Sequence, residues 1–212
     1  MCLKLKESWN DLLLKLNADL QYSEEIFRDL INAYSNPARH HHNLEHIQQI
    51  LHALEAVKHL SNCPNLISLS AWYHDYIYNP KKQNNEEKST ESAEQNLNKL
   101  NISNQIIDPV KQIILSTKKH EPLLDNIDNL IFLDADLSIL GASPEKYLQY
   151  AKAIRQEYHW LSDRDYQQGR TKVLKNFLAR DKIYYTDYFY QKLEKAARNN
   201  LKSEINQMLN NK

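Results

Sequence analysis

Apolar residues recur at three- and four-residue steps through most of the chain. Ile47, Ile50, Leu51, Leu54 and Val57 form one stripe, which is the pattern of an amphipathic helix. Asn62-Cys63-Pro64 breaks it, and Leu66, Leu69, Trp72 and Tyr73 start a second helix that runs into His74-Asp75. Asn79-Pro80 ends that helix, and a polar loop covers 81–85. Asn84, with Glu87 three positions on, resembles a capping pair for a helix through Ala93, Leu97 and Leu100. Asp108-Pro109 reads as an N-cap with proline at the first helical position, ahead of Val110, Ile113, Ile114 and Thr117. A further helix is predicted from Leu130 to Leu140, stopping at Gly141. Ser143-Pro144 opens the next, with Tyr147, Tyr150, Ala151 and Ile154 inward. Ser162 to Asp165 opens one through Val173, Leu174 and Phe177. Thr186-Asp187 opens the last, through Phe189, Leu193, Ala196, Leu201 and Ile205. The expected class is all-α, and no linker or composition change divides residues 1–212, so one domain is expected.

Composition narrows this further. Two glycines in 212 residues argue against tight-turned, sheet-rich folds. Gly141 and Gly169 alone cannot write a GxGxxG or Walker A cradle. The 27 basic and 27 acidic side chains balance, so no specific binding to nucleic acid and no attraction to an acidic membrane is expected. Cys2 and Cys63 make neither a disulfide framework nor a zinc knuckle. The charged start of the chain (1–8) lacks a signal-peptide core, and no run of 18 apolar residues occurs. The expected location is the cytoplasm.

The candidate chemistry lies in three segments. Arg39-His40-His41-His42-Asn43-Leu44-Glu45-His46 is dense in imidazole. His42 and His46, four apart, would share a helical face, and His46 borders the apolar stripe. His40 and His41 read as solvated. His74-Asp75 stands where an apolar helix runs out. Adjacent helical residues point about 100° apart, so both reach one ion only at the helix end or where the backbone bends. A carboxylate near a helix C-terminus also opposes the macrodipole unless a cation compensates it. Asp134 and Asp136 interrupt an apolar run, where carboxylates are costly to bury unless paired or metal-bound. Two positions apart, they point opposite ways. One can be a ligand while the other caps, pairs with an arginine or faces water. The tract Tyr184 to Tyr190 reads as core or helix-packing surface.

Taken in order, His46, His74-Asp75 and Asp136 resemble the H…HD…D signature of the HD-domain metal-dependent phosphohydrolase superfamily. His42-Asn43-Leu44-Glu45-His46 is similar to the HNxxH motif of its cyclic-nucleotide phosphodiesterases. Ala135-Asp136-Leu137-Ser138 is similar to the segment carrying their last metal-ligating aspartate. A bacterial family of predicted HD phosphohydrolases resembles the chain over nearly its whole length. The matched segments are Arg39-His40-His41-His42, Asn85-Glu86-Glu87-Lys88-Ser89, 134–141, Ala153-Ile154-Arg155-Gln156-Glu157-Tyr158 and Gly169-Arg170. The resemblance implies a single-domain HD-type helical bundle with His46, His74, Asp75 and Asp136 as metal ligands. It implies His42 as the group that protonates the leaving oxygen; Asp75 and, from its own position after the HD pair, Glu86 are further catalytic candidates. His41 stands where the family more often has tyrosine, and no function is attached to it.

Dinuclear members resemble H…HD…H…H…D, whereas only His120 lies between Asp75 and Asp136 here. One divalent transition-metal ion is therefore expected (Mn, Fe, Ni, Co or Zn, with Mg a further candidate), and His120 or Glu86 would be a second-site or substrate contact. Tyr76-Ile77-Tyr78-Asn79 replaces the acidic pair that follows the HD in guanosine-tetraphosphate hydrolases, which disfavours that substrate. Such an ion activates water and polarises phosphorus. Arg39, Lys118, Arg155 and Arg170 are the candidate phosphate clamps, with salt-bridge roles as their alternative. Glu86 reads equally as an acid or base near the metal and as a helix-start carboxylate. The expected function is hydrolysis of a small phosphate ester or nucleotide. The alternatives are a non-enzymatic ligand-binding HD domain and a di-iron oxygenase of the HD type.

Overall fold

The computed structural model describes residues 2–210, so Met1 of the charged N-terminal stretch and residues 211–212 lie outside it. Among the described residues every regular element is a helix: ten α-helices and three short 3₁₀ segments. This is the all-α class that the periodicity predicts. Among the described residues no helix is long and apolar enough to cross a membrane. By its internal contacts the chain divides into two compact units, Met1–Leu133 and Asp134–Lys212. The boundary falls inside a helix, where no linker composition could mark it.

The first unit holds α1 (Cys2–Lys15), α2 (Ser23–Tyr34), α3 (Leu44–Val57), α4 (Pro64–Tyr73), α5 (Asn85–Lys99), α6 (Asn104–Ser116) and most of α7 (Ile127–Asp136). The two helices before Ile47 carry stripes of their own. Leu5, Trp9, Leu12 and Leu13 are buried on α1, and Ile26, Phe27, Leu30 and Tyr34 on α2. Helix α4 is the hub, packing against α1, α3, α5 and α6. Its Leu69, Ala71, Trp72 and Tyr73 are fully buried, as expected of a helix apolar all round. The Trp9 and Phe27 rings meet Trp72 edge-on at 5.6 and 6.0 Å. A ten-residue helix is marginal in isolation. Burying side chains of this size, at about 1.5–3 kcal/mol each, holds α4 in place instead.

Three boundaries differ from the sequence reading. Helix α6 starts at Asn104, so Pro109 lies inside it and not at its first position. Ile107 is buried and extends the stripe of Val110 and Ile114 upstream by a turn, which outweighs the backbone hydrogen bond that Pro109 cannot donate. Helix α5 starts after Asn84 as expected, but the Asn84 side chain makes no capping bond, and Glu87 pairs with Lys118 instead. The expected helix from Leu130 to Leu140 ends at Asp136 and tightens into a 3₁₀ segment, Leu137–Gly141.

The second unit contains that 3₁₀ segment, α8 (Pro144–Glu157), α9 (Asp163–Leu178) and α10 (Asp187–Asn210). Helix α10 packs on the 3₁₀ segment, α8 and α9. Ser143 and Ser162 cap α8 and α9 through their side chains, as their positions before each helix predict. Gly141 has no positive φ. It is required for close approach: a Cβ there would stand 2.5 Å from the Leu193 Cβ and 2.9 Å from the Leu193 carbonyl oxygen. In the aromatic tract, Tyr184 and Phe189 are buried, and the Tyr184 hydroxyl donates to the Leu137 carbonyl at 3.0 Å.

Candidate metal centre

His46 reaches the interior through the cap that begins α3. The Asn43 carboxamide oxygen accepts from the backbone N–H of Glu45 and of His46, so helical geometry begins at Leu44. His46 then lies in the first turn, 4% exposed, beside Ile47 and Ile50. His42 is left outside the helix. The shared helical face expected of His42 and His46 is therefore not formed, although their rings remain 5.9 Å apart.

His74 and Asp75 answer the geometric problem that adjacent residues pose. Helix α4 ends at Tyr73, His74 is its C-cap, and the chain turns at Asp75. Both side chains then face the same point. The two imidazole Nε2 atoms are 3.2 Å apart, and the Asp75 Oδ2 lies 3.0 Å from His74 Nε2 and 3.8 Å from His46 Nε2. Metal–ligand bonds of about 2.1 Å set neighbouring donors roughly 3.0–3.4 Å apart. Two of the three separations match that spacing, and the third lies just beyond it.

The His74 tautomer agrees with this use. Its Nδ1 is 3.0 Å from the Ala71 carbonyl oxygen. A carbonyl only accepts, so Nδ1 carries the hydrogen and the neutral ring keeps its Nε2 lone pair for the cluster. That is the usual second contact of a metal-binding histidine. The Asp75 carboxyl is 18% exposed. Burial alone would raise its pKa, but the imidazoles of His74, His42 and His46 in their protonated form, His74 then donating from Nε2 as well, outweigh burial and hold it well below the ordinary carboxylate range. Asp75 is thus held as a carboxylate facing the two imidazole Nε2 atoms.

The two aspartates of the third segment part company. Asp134 is buried and accepts from the backbone N–H of Tyr185 at 2.8 Å, the N–H of Thr186 at 2.7 Å and the Thr186 hydroxyl at 2.6 Å, just ahead of α10. Burial pushes its carboxyl up to about 6 against the pull of those donors. Asp136 is half-buried at the end of α7. Within the first unit, His46 and His74 belong to a group that could hold a metal ion.

The cationic candidates are engaged within the chain. Arg39 is buried against three backbone carbonyls. Lys118 donates to Glu87 and to the Gln83 carbonyl. Arg155 donates to the carbonyls of Tyr158 and Leu161 and to Asp163, and so closes the α8–α9 turn. Arg170 makes a two-pronged pair with Glu204. Glu86 stands half-buried in the first turn of α5. His120 has positive φ (50°) in the turn after α6.

Sequence reasoning passed over two side chains here. The His41 ring lies 4.6 Å from that of His46, and the Tyr78 ring stacks on His42 at 4.2 Å and 28°. Neither residue lies on an apolar stripe. No protein-family model, no curated protein and no solved structure matches the chain.

Proposed function

We propose that this protein is a metal-dependent phosphoric ester hydrolase of the HD-domain kind. In this reading one divalent transition-metal ion is held by His46, His74, Asp75 and Asp136. The observation that carries it is the convergence of His46 Nε2, His74 Nε2 and Asp75 Oδ2, with the His74 Nδ1–H on a backbone carbonyl. Two imidazoles and a carboxylate suit Mn, Fe, Ni, Co or Zn better than Ca. Such an ion, when bound, lowers the pKa of water and polarises a phosphoryl oxygen.

The chain's own groups supply the rest. Asp75 stays ionised and offers negative charge to the ion. In this reading His42, whose ring stacks on that of Tyr78, gives a proton to the leaving oxygen. The substrate class is a small phosphomonoester, a nucleotide or a cyclic diester. The free thiols of Cys2 and Cys63 are consistent with a reducing, cytoplasmic setting.

The test is metal analysis combined with hydrolysis of p-nitrophenyl phosphate, bis-p-nitrophenyl phosphate and a nucleotide panel after metal loading. The expected result is one ion per chain and turnover of at least one ester. In Asp75→Ala both should be lost while the helical circular dichroism survives. A metal-loaded protein inert towards every ester would overturn the hydrolase reading, and turnover with normal metal content in Asp75→Ala would overturn the ligand assignment.

A further inference from the structure

Arg39 lies in a histidine-rich segment and is an obvious phosphate clamp by sequence, yet its guanidinium is turned inward. Nη1 donates to the carbonyl of Asp75 at 2.7 Å and of His42 at 3.4 Å, and Nη2 donates to the carbonyl of Tyr76 at 2.8 Å. The guanidinium carbon is 5.1 Å from the Tyr34 ring centroid and 5.6 Å from that of Tyr78. The carbonyls of Asp75 and Tyr76 come just after α4, where helical partners have run out and a cation also suits the helix dipole.

The segment after Asp75 has no regular structure, and side chains hold it residue by residue. The Ile77 N–H donates to the Ser89 hydroxyl at 3.0 Å, and that hydroxyl donates back to the Ile77 carbonyl at 3.3 Å. The Asn79 N–H donates to the Asn85 Oδ1, and the Asn85 Nδ2 donates to the Asn79 carbonyl, both at 3.0 Å. Ser89 and Asn85 are four apart on α5, which puts them on one face. Arg39 holds one end of this segment and α5 the other, and Tyr78 between them presents its ring to His42. His42 precedes α3, so no helical ladder fixes it. It is held at its carbonyl by Arg39 and at its ring by Tyr78, and Arg39 touches both.

We propose that Arg39 is a positioning residue, which sets the place of the His42 imidazole through the His42 and Asp75 carbonyls and the Tyr78 ring. The inference rests on the hydrolase reading for its kinetic consequence, though not for its structural one. Lysine keeps the charge but lacks the planar fork that spans three carbonyls, so Arg39→Lys is the discriminating change.

The test uses the zinc-loaded full chain, with ¹³C-labelled histidine for NMR and bis-p-nitrophenyl phosphate as substrate. His42 ring protons are assigned by their loss in His42→Ala. In the native protein they should carry the upfield ring-current shift of stacking on Tyr78. Arg39→Lys and Tyr78→Leu should each abolish that shift. Each should also lower kcat about tenfold or more, as expected for small misplacements, with KM and zinc content unchanged. Tyr78→Phe should restore what Tyr78→Leu removes. A folded Arg39→Lys protein with native His42 shifts overturns the proposal, as does native kcat in Tyr78→Leu. An Arg39→Lys protein that fails to fold also overturns it, in favour of a purely stabilising role. If the native protein hydrolyses nothing, the hydrolase reading fails, and the ring-current shifts still decide the role of Arg39.

Discussion

Asp134 and Asp136 carry the same functional group two positions apart, and the surroundings of Asp134 give it a structural role. Asp134 satisfies two backbone N–H groups and a hydroxyl ahead of α10. Asp134→Ala should therefore cost stability, about 1–3 kcal/mol for buried donors left unpaired, with metal content unchanged. Calorimetry together with metal analysis checks this, and loss of metal at native stability would count against it. His42 presents the opposite case. His42→Ala should keep the ion and slow the chemical step by roughly 10²–10⁴-fold, the usual contribution of a general acid. Metal loss in that variant would instead make His42 a ligand. Both aspartates could be singled out from the sequence, because a carboxylate in an apolar run calls for a partner. Which one had its partner on the α10 side was not legible there, since Tyr185 and Thr186 lie 51 and 52 residues away.

The helices that periodicity predicts are found where stripe and cap agree. Ser143 and Ser162 cap α8 and α9, and the stripe of Ile47, Ile50, Leu54 and Val57 is the buried face of α3. Departures occur where a local signal has a competing tertiary use. Asn84 resembles a cap, but Glu87, its expected partner, is drawn to Lys118 on the turn after α6. Pro109 resembles a helix start, but the buried Ile107 pulls α6 further upstream. Gly141 marks the end of a helix by sequence, and the close approach of Leu193 is what demands it. Gly141→Ala should accordingly destabilise by about 1–3 kcal/mol, the range for overpacking, because the obstruction includes backbone that cannot rotate away. Thermal denaturation of the purified variant measures it, and an unchanged midpoint would show that α10 can shift at no cost.

At the scale of the whole molecule, the second unit encloses an ion pair. The Arg170 and Glu204 side chains are 8% and 10% exposed, and the Tyr147 hydroxyl also donates to Glu204. Removing one member strands the other charge, so Glu204→Ala should cost about 3–5 kcal/mol, read from denaturant unfolding. A cost below 1 kcal/mol would mean that water reaches the arginine. This pair also shows why Arg170 reads as a phosphate clamp from sequence: nothing near it in the chain reveals a carboxylate 34 residues on. By itself the sequence determined the all-α class, the inward stripes, most helix starts and the set of imidazoles and carboxylates open to metal. Those follow from periodicity and capping, which act over one or two turns. Only the tertiary structure decided that His42 stands outside α3, that His74 and Asp75 converge at the end of α4, and that Arg39 turns inward on carbonyls up to 37 residues away. A polar group takes whichever buried partner packing brings to it, and packing joins residues that the chain keeps far apart.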